Sequence, residues 1–142
     1  YKAYCSFYGY ASRSAMLKVL LNPGFLLVLF FRLYSFVYNF GGPLRLLGRL
    51  FWLFTFFIFK CDISPKCRIL GTVIFPHPLS IVIGEGVELT GTNIIYQSVT
   101  LGVHKGNYPS LTDCTVYSGA VVCGPLHLKS QMVSALSLVL KG

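Results

Sequence analysis

Asp62 and His77 stand fifteen residues apart, and a further acid, Glu85, follows eight residues after the imidazole. An unperturbed imidazole titrates at about pH 6.5, so it can act as a general base that takes a proton from a hydroxyl as the hydroxyl oxygen attacks. A carboxylate behind the ring would hold its tautomer and stabilise the cation. The remaining inventory is thin: His104 and His127, Glu88 and Asp113, and the cysteines Cys5, Cys61, Cys67, Cys114 and Cys123. No Cys-x-x-Cys pair occurs, and no His lies at ligand spacing. The cysteines therefore read as reduced, partly buried thiols, and no metal is expected. Taken alone, His77 has two readings, a general base or a satisfied core or corner residue. Asp62 could likewise cap the turn before Pro65, and Glu85 could be a solvated corner charge. His104 and His127 read as surface or corner residues.

The elements that must position these groups are marked by a six-residue period. Ile63, Ile69, Phe75, Ile81, Val87, Asn93 and Val99 form one row, and Ile83, Leu89, Ile95 and Leu101 form another two residues later. A helix repeats about every 3.6 residues and a strand about every 2. A strict repeat of six is that of a solenoid whose short strands turn corners and bury one side against neighbouring coils. At about eighteen residues per coil, Ile63 is expected over Ile81 and Phe75 over Asn93, with Asn93 a hydrogen-bonded ladder residue. Beyond residue 110 the spacing falters. Leu111 to Val116 and Leu128 to Val133 are five apart, and Thr112, Tyr117, Lys129 and Ser134 stand where corner glycines are expected. A shortened repeat must tighten a corner or flip its side chains. The stretch from Val103 to Pro109 is expected to project as a loop, with Lys105 solvated.

Nothing before Asp62 follows the repeat, which divides the chain into residues 1–61 and 62–142. The chain starts without Met and stops inside a repeat-like pattern, so both ends are expected to be truncated. Residues 1–61 carry seven cations and no acid, whereas all four acids lie beyond. These cations are scattered among Leu and Phe rather than clustered, which argues against nucleic acid as a partner. Two apolar helical stretches, around residues 16–40 and 44–59, flank a Gly41-Gly42-Pro43 turn. The uncharged runs Asn22 to Phe31 and Leu50 to Phe59 have ten residues each, against about 20 needed to span a bilayer. A helix pair lying in a membrane interface is the favoured expectation. A hairpin packed on the solenoid or a partner subunit, and a span tolerating Arg32 by snorkelling, are the alternatives. No signal-peptide pattern is present.

Several motifs recur in order: Asp62-Ile63-Ser64-Pro65, then His77, then Ile81-Val82-Ile83-Gly84-Glu85, then Gln97-Ser98-Val99-Thr100-Leu101-Gly102. Residues 62 to about 141 thereby resemble the serine O-acetyltransferase family and its relatives in polysaccharide biosynthesis. The resemblance implies a mainly β fold, a left-handed parallel β-helix, and homotrimers with active sites between subunits. It implies that His77 is the general base, that Asp62 orients it and that Glu85 supports the site. Acetyl-CoA would be the acyl donor, its pantetheine arm lying along backbone at Gly102, Ser118 and Ala135.

The chain departs from the serine enzymes where they hold the amino acid's charged ends. Pro76 stands for an Asp, and Asn107-Tyr108 before Pro109 stand for an Arg-His pair. Neutral groups would leave a zwitterion poorly paired in a desolvated site. The serine enzymes' helical N-terminal domain also looks replaced by the basic, apolar segment. The expectation is thus O-acetylation of a sugar or glycan hydroxyl at the cytoplasmic face of the plasma membrane. Serine O-acetylation and a non-catalytic membrane scaffold are the alternatives.

Overall fold

The computed structural model describes residues 2–9, 15–135 and 137–139. Among these residues four helices come first: α1 (Lys2–Tyr8), α2 (Ala15–Leu20), α3 (Pro23–Asn39) and α4 (Leu44–Phe59). The side chain of Asn22 accepts from the amides of Gly24 (2.9 Å) and Phe25 (3.2 Å), and Pro23 enters the first turn of α3. α4 ends where Lys60 turns left-handed (φ 53°) and its amide bonds the carbonyl of Phe56. The two long helices cross closely, because a β-carbon on Gly48 would come within 2.7 Å of the Tyr38 backbone.

Among the described residues, thirteen short strands follow, arranged in three sheets. The first holds β1 (Asp62–Ile63), β4 (Val82–Ile83), β7 (Thr100–Gly102), β10 (Val121–Cys123) and β13 (Ser137–Val139). The second holds β2 (Arg68–Ile69), β5 (Glu88–Thr90), β8 (Ser110–Thr112) and β11 (His127–Lys129). The third holds β3 (Thr72–Ile74), β6 (Thr92–Ile95), β9 (Thr115–Val116) and β12 (Met132–Val133). Strands of each sheet pair in parallel with the next coil, giving a parallel β-helix of about four turns.

Both apolar rows point inward, and none of their eleven members is more than 4% exposed. The coil length, however, is not uniform. Ile63 pairs with Ile83 and Val73 with Asn93, so the first coil has twenty residues and the expected stacking of Ile63 on Ile81 and Phe75 on Asn93 is corrected. The two extra residues fall between Ile74 and Val82, since Ile74 pairs with Ile94, and Val82 with Thr100 only six residues further on. Each side of a coil offers two alternate inward slots, as Ile81 and Ile83, Val87 and Leu89, or Val99 and Leu101 show. An insertion of two therefore moves the row from one inward slot to the other without interrupting the period of six.

Asn93 is fully buried and satisfied: its amide donates to the carbonyl of Thr90 (2.7 Å) and its oxygen accepts from the amide of Cys114 in the next coil (3.1 Å). The five-residue spacings are absorbed at tight corners. Thr112 and Lys129 are strand residues, and the left-handed positions follow them at Asp113 (φ 54°) and Ser130 (φ 51°). Tyr117 likewise precedes the left-handed Gly119 by two residues. The shortened coils keep their parallel pairing, and Val122, Leu128 and Val133 stay buried.

β1, β2 and β3 are the terminal strands of their sheets and would leave backbone groups open. α3 covers this end. Tyr34 donates to the carbonyl of Ile63 (2.6 Å), Ser35 to that of Pro65 (2.8 Å) and Arg32 to that of Gly71 (2.9 Å). Leu27, Phe31 and Tyr34 join one apolar cluster with Ile63, Ile69 and Ile83. The hairpin thus packs on the solenoid. Leu46, Leu50, Phe54 and Phe57 of α4 stay exposed on the opposite side. Among the described residues, no helix is long and apolar enough to cross a membrane.

Candidate functional site

The inserted residues form the loop that carries His77. Phe75 is fully buried at its base and His77 is exposed at its tip, between Pro76 and Pro78. The two prolines fix φ on either side of the imidazole, and the amide of Leu79 bonds back to the His77 carbonyl (2.9 Å). His77 therefore does not occupy the apolar inward slot that an uninterrupted repeat would give it. Its ring lies 6.4 Å from that of Tyr96, which stacks in turn on Tyr117 at 5.4 Å and 18°. These rings lie along one edge of the prism, where the third sheet turns into the first.

Asp62 enters at the same edge. The amide of Ser80 bonds the carbonyl of Lys60 (3.1 Å), and the amide of Asp62 bonds that of Ile81 (2.8 Å), so the end of the His77 loop rests on the start of β1. Among the described residues, no hydrogen bond joins Asp62 to His77. The Asp62 carboxylate faces α4 and accepts from the indole of Trp52 (3.2 Å). That indole needs an acceptor once partly buried, and no local pattern in the sequence marks Asp62 as that acceptor. Asp62 and Glu85 do share a cleft of about 240 Å³, lined also by Tyr38, Arg49, Trp52 and Lys66. Glu85 is exposed and pairs with Lys66 at 2.8 Å, a contact that raises the lysine's pKa.

The three residues expected along the donor fall into two places. Ser118 lies on the His77 edge, and Ala135 follows one coil later, with its β-carbon 3.9 Å from where one on Gly119 would be. Both are exposed. Gly102 sits at the far end of β7, paired with Cys123, so the width of the first sheet separates it from them. The loop after Gly102 is exposed as expected, closed by paired backbone bonds between His104 and Asn107. Tyr108 folds back over Gly86, where a β-carbon would meet the ring at 2.6 Å. His127 is an exposed strand residue whose Nδ1 shares a 2.7 Å hydrogen bond with Ser110. All five cysteines are free thiols.

Fold and corner loop together define a class: a hexapeptide-type parallel β-helix with an exposed histidine beside its first sheet. No family model matches the chain. Among curated proteins, serine acetyltransferase from Mycobacterium tuberculosis is 31% identical over 137 residues, covering 92% of this chain and 59% of that protein. Serine acetyltransferase from Buchnera aphidicola is 34% identical over 91 residues, covering 59% of this chain and 35% of that protein. The crystal structure of serine acetyltransferase from Brucella abortus superposes with a TM-score of 0.80 at 25% identity, covering 94% of this chain and 56% of that one. The chain thus spans between a third and three fifths of the curated relatives it matches. Because the superposition takes in 94% of the chain, it includes most of the helical segment. Most of residues 1–61 therefore has a structural counterpart in that protein, where replacement of its helical domain was expected.

Proposed function

We propose that the chain carries the acyl-transfer part of an acetyl-CoA-dependent O-acetyltransferase, with His77 as general base. The observation supporting this most directly is the exposure of His77 on an inserted loop, at the edge that also presents Ser118 and Ala135. In the proposed reaction the imidazole takes the acceptor's hydroxyl proton as its oxygen attacks the thioester carbonyl. The tetrahedral adduct then expels the coenzyme A thiolate, leaving an acetyl ester. Asp62 would hold the other ring nitrogen, its Oδ2 being the oxygen that Trp52 does not engage. Glu85 would keep Lys66 beside the cleft. Backbone at Ser118, Ala135 and Gly102 would hold the pantetheine arm, with two further copies of the chain completing a homotrimer.

Serine is the acceptor that the relatives favour. A glycan hydroxyl is the second reading, and the neutral set Pro76, Asn107 and Tyr108 favours it. Thiol release from acetyl-CoA with L-serine and with neutral sugars tests both. Turnover with serine alone removes the glycan reading, and turnover with sugars alone removes serine. If neither supports turnover and His77→Ala leaves an assembly role intact, the scaffold alternative gains. The exposed apolar side of α4, with Arg45 and Arg49, supports association with an anionic membrane surface. Vesicle flotation tests that, and failure to float with anionic lipid removes it.

A further inference from the structure

We propose that Tyr4, assisted by Tyr8, is a positioning residue for His77, so that the first helix sets the pose of the base. This rests on His77 being the base. The two inserted residues take the segment after Ile74 out of the β ladder, so its backbone groups need partners elsewhere. They find them 68 and 71 residues away along the chain. The Phe75 amide donates to the Tyr4 hydroxyl (3.2 Å), and the Tyr8 hydroxyl donates to the Pro76 carbonyl (3.4 Å). Tyr4 is itself only 3% exposed and is held edge-on by Phe25 at 5.5 Å, so its hydroxyl is a fixed point. Gly24 of α3 closes against the carbonyl of Phe75. Among the described residues, the His77 side chain has no hydrogen bond of its own within the subunit. Its place is therefore inherited from the Phe75–Pro76 backbone, and two φ-locked prolines pass any shift of that backbone to the ring.

The test is Tyr4→Phe, which keeps the ring and removes only the hydroxyl. Hydrogen exchange at the Phe75 amide should rise by about tenfold or more while Ile95 in the next coil stays protected. Turnover should fall about tenfold with KM for acetyl-CoA within about twofold, because a misplaced base costs the chemical step rather than binding. In a His77→Ala background the same change should cost nothing further. Unchanged turnover despite faster exchange at Phe75 overturns the proposal, and so does an equal loss in the His77→Ala background. Failure of the parent protein to transfer acetyl overturns instead the reading beneath it. Exchange at Phe75 then decides the anchoring by itself.

Discussion

Gly24 stands against the carbonyl oxygen of Phe75 so closely that a β-carbon at residue 24 would lie 1.9 Å from that oxygen. Only hydrogen fits where α3 meets the base of the His77 loop. Gly24→Ala would add up to about 1 kcal/mol of helix propensity. Overpacking against a backbone atom typically costs about 1–3 kcal/mol, so the clash should win. The expected result is a lower melting temperature, with turnover reduced further than the lost stability explains. A melting temperature at or above the parent's would contradict this packing.

His77→Ala should leave folding intact, because the side chain is exposed and, among the described residues, makes no hydrogen bond. Acetyl transfer should fall by about 10²–10⁴ if the imidazole is the base. Asp62→Asn should cost less, and the double variant should be no slower than His77→Ala. Thiol release from acetyl-CoA measures all three. Additive losses would mean that the carboxylate acts apart from the imidazole.

Tyr34→Phe removes the donor that covers the Ile63 carbonyl at the open end of the first sheet. An orphaned buried acceptor costs about 1–3 kcal/mol. The urea midpoint should fall with the slope unchanged. A midpoint within error of the parent's would show that water satisfies this carbonyl instead.

Burial pushes the Cys67 thiol up from 9.0 to about 12, and desolvation also raises the Cys61 thiol and the Tyr34 phenol. The folded state therefore holds protons that the unfolded chain releases above pH 9. Stability should be flat below pH 9 and fall as pH rises towards 12, by up to about 1.4 kcal/mol per unit for each such group. Melting curves from pH 7 to 11 test the sign. Cys67→Val should flatten the slope, and a steeper one would contradict this assignment.

Much of the solenoid was legible beforehand, for a physical reason. Inside and outside alternate along each strand, so residues such as Val87 and Leu89 declare their side from local pattern alone. The register was not legible. An even-numbered insertion keeps every side chain on its proper face, so the period of six ran unbroken through a coil of twenty residues. The same parity concealed that His77 leaves the core. The odd-numbered shortenings at 111–116 and 128–133 were visible because they break the period, and each is met by a left-handed corner, Asp113 or Ser130.

The helical segment was legible as helices but not in its role. Its apolar residues divide between a face on the solenoid, with Leu27 and Phe31, and an outward face, with Leu50 and Phe57. Composition weighs both faces alike, which is why a membrane surface competed with simple packing.

Periodicity and residue type alone settled which side chains are inward, where the repeat begins and which imidazole and carboxylates are chemically eligible, since these follow from short-range backbone geometry. Folding in three dimensions settled the rest. The pairing of Ile63 with Ile83, the indole of Trp52 on Asp62 and the tyrosine anchors beneath His77 join residues from ten to seventy-one positions apart. Such contacts arise from where whole elements pack, and no local pattern encodes them.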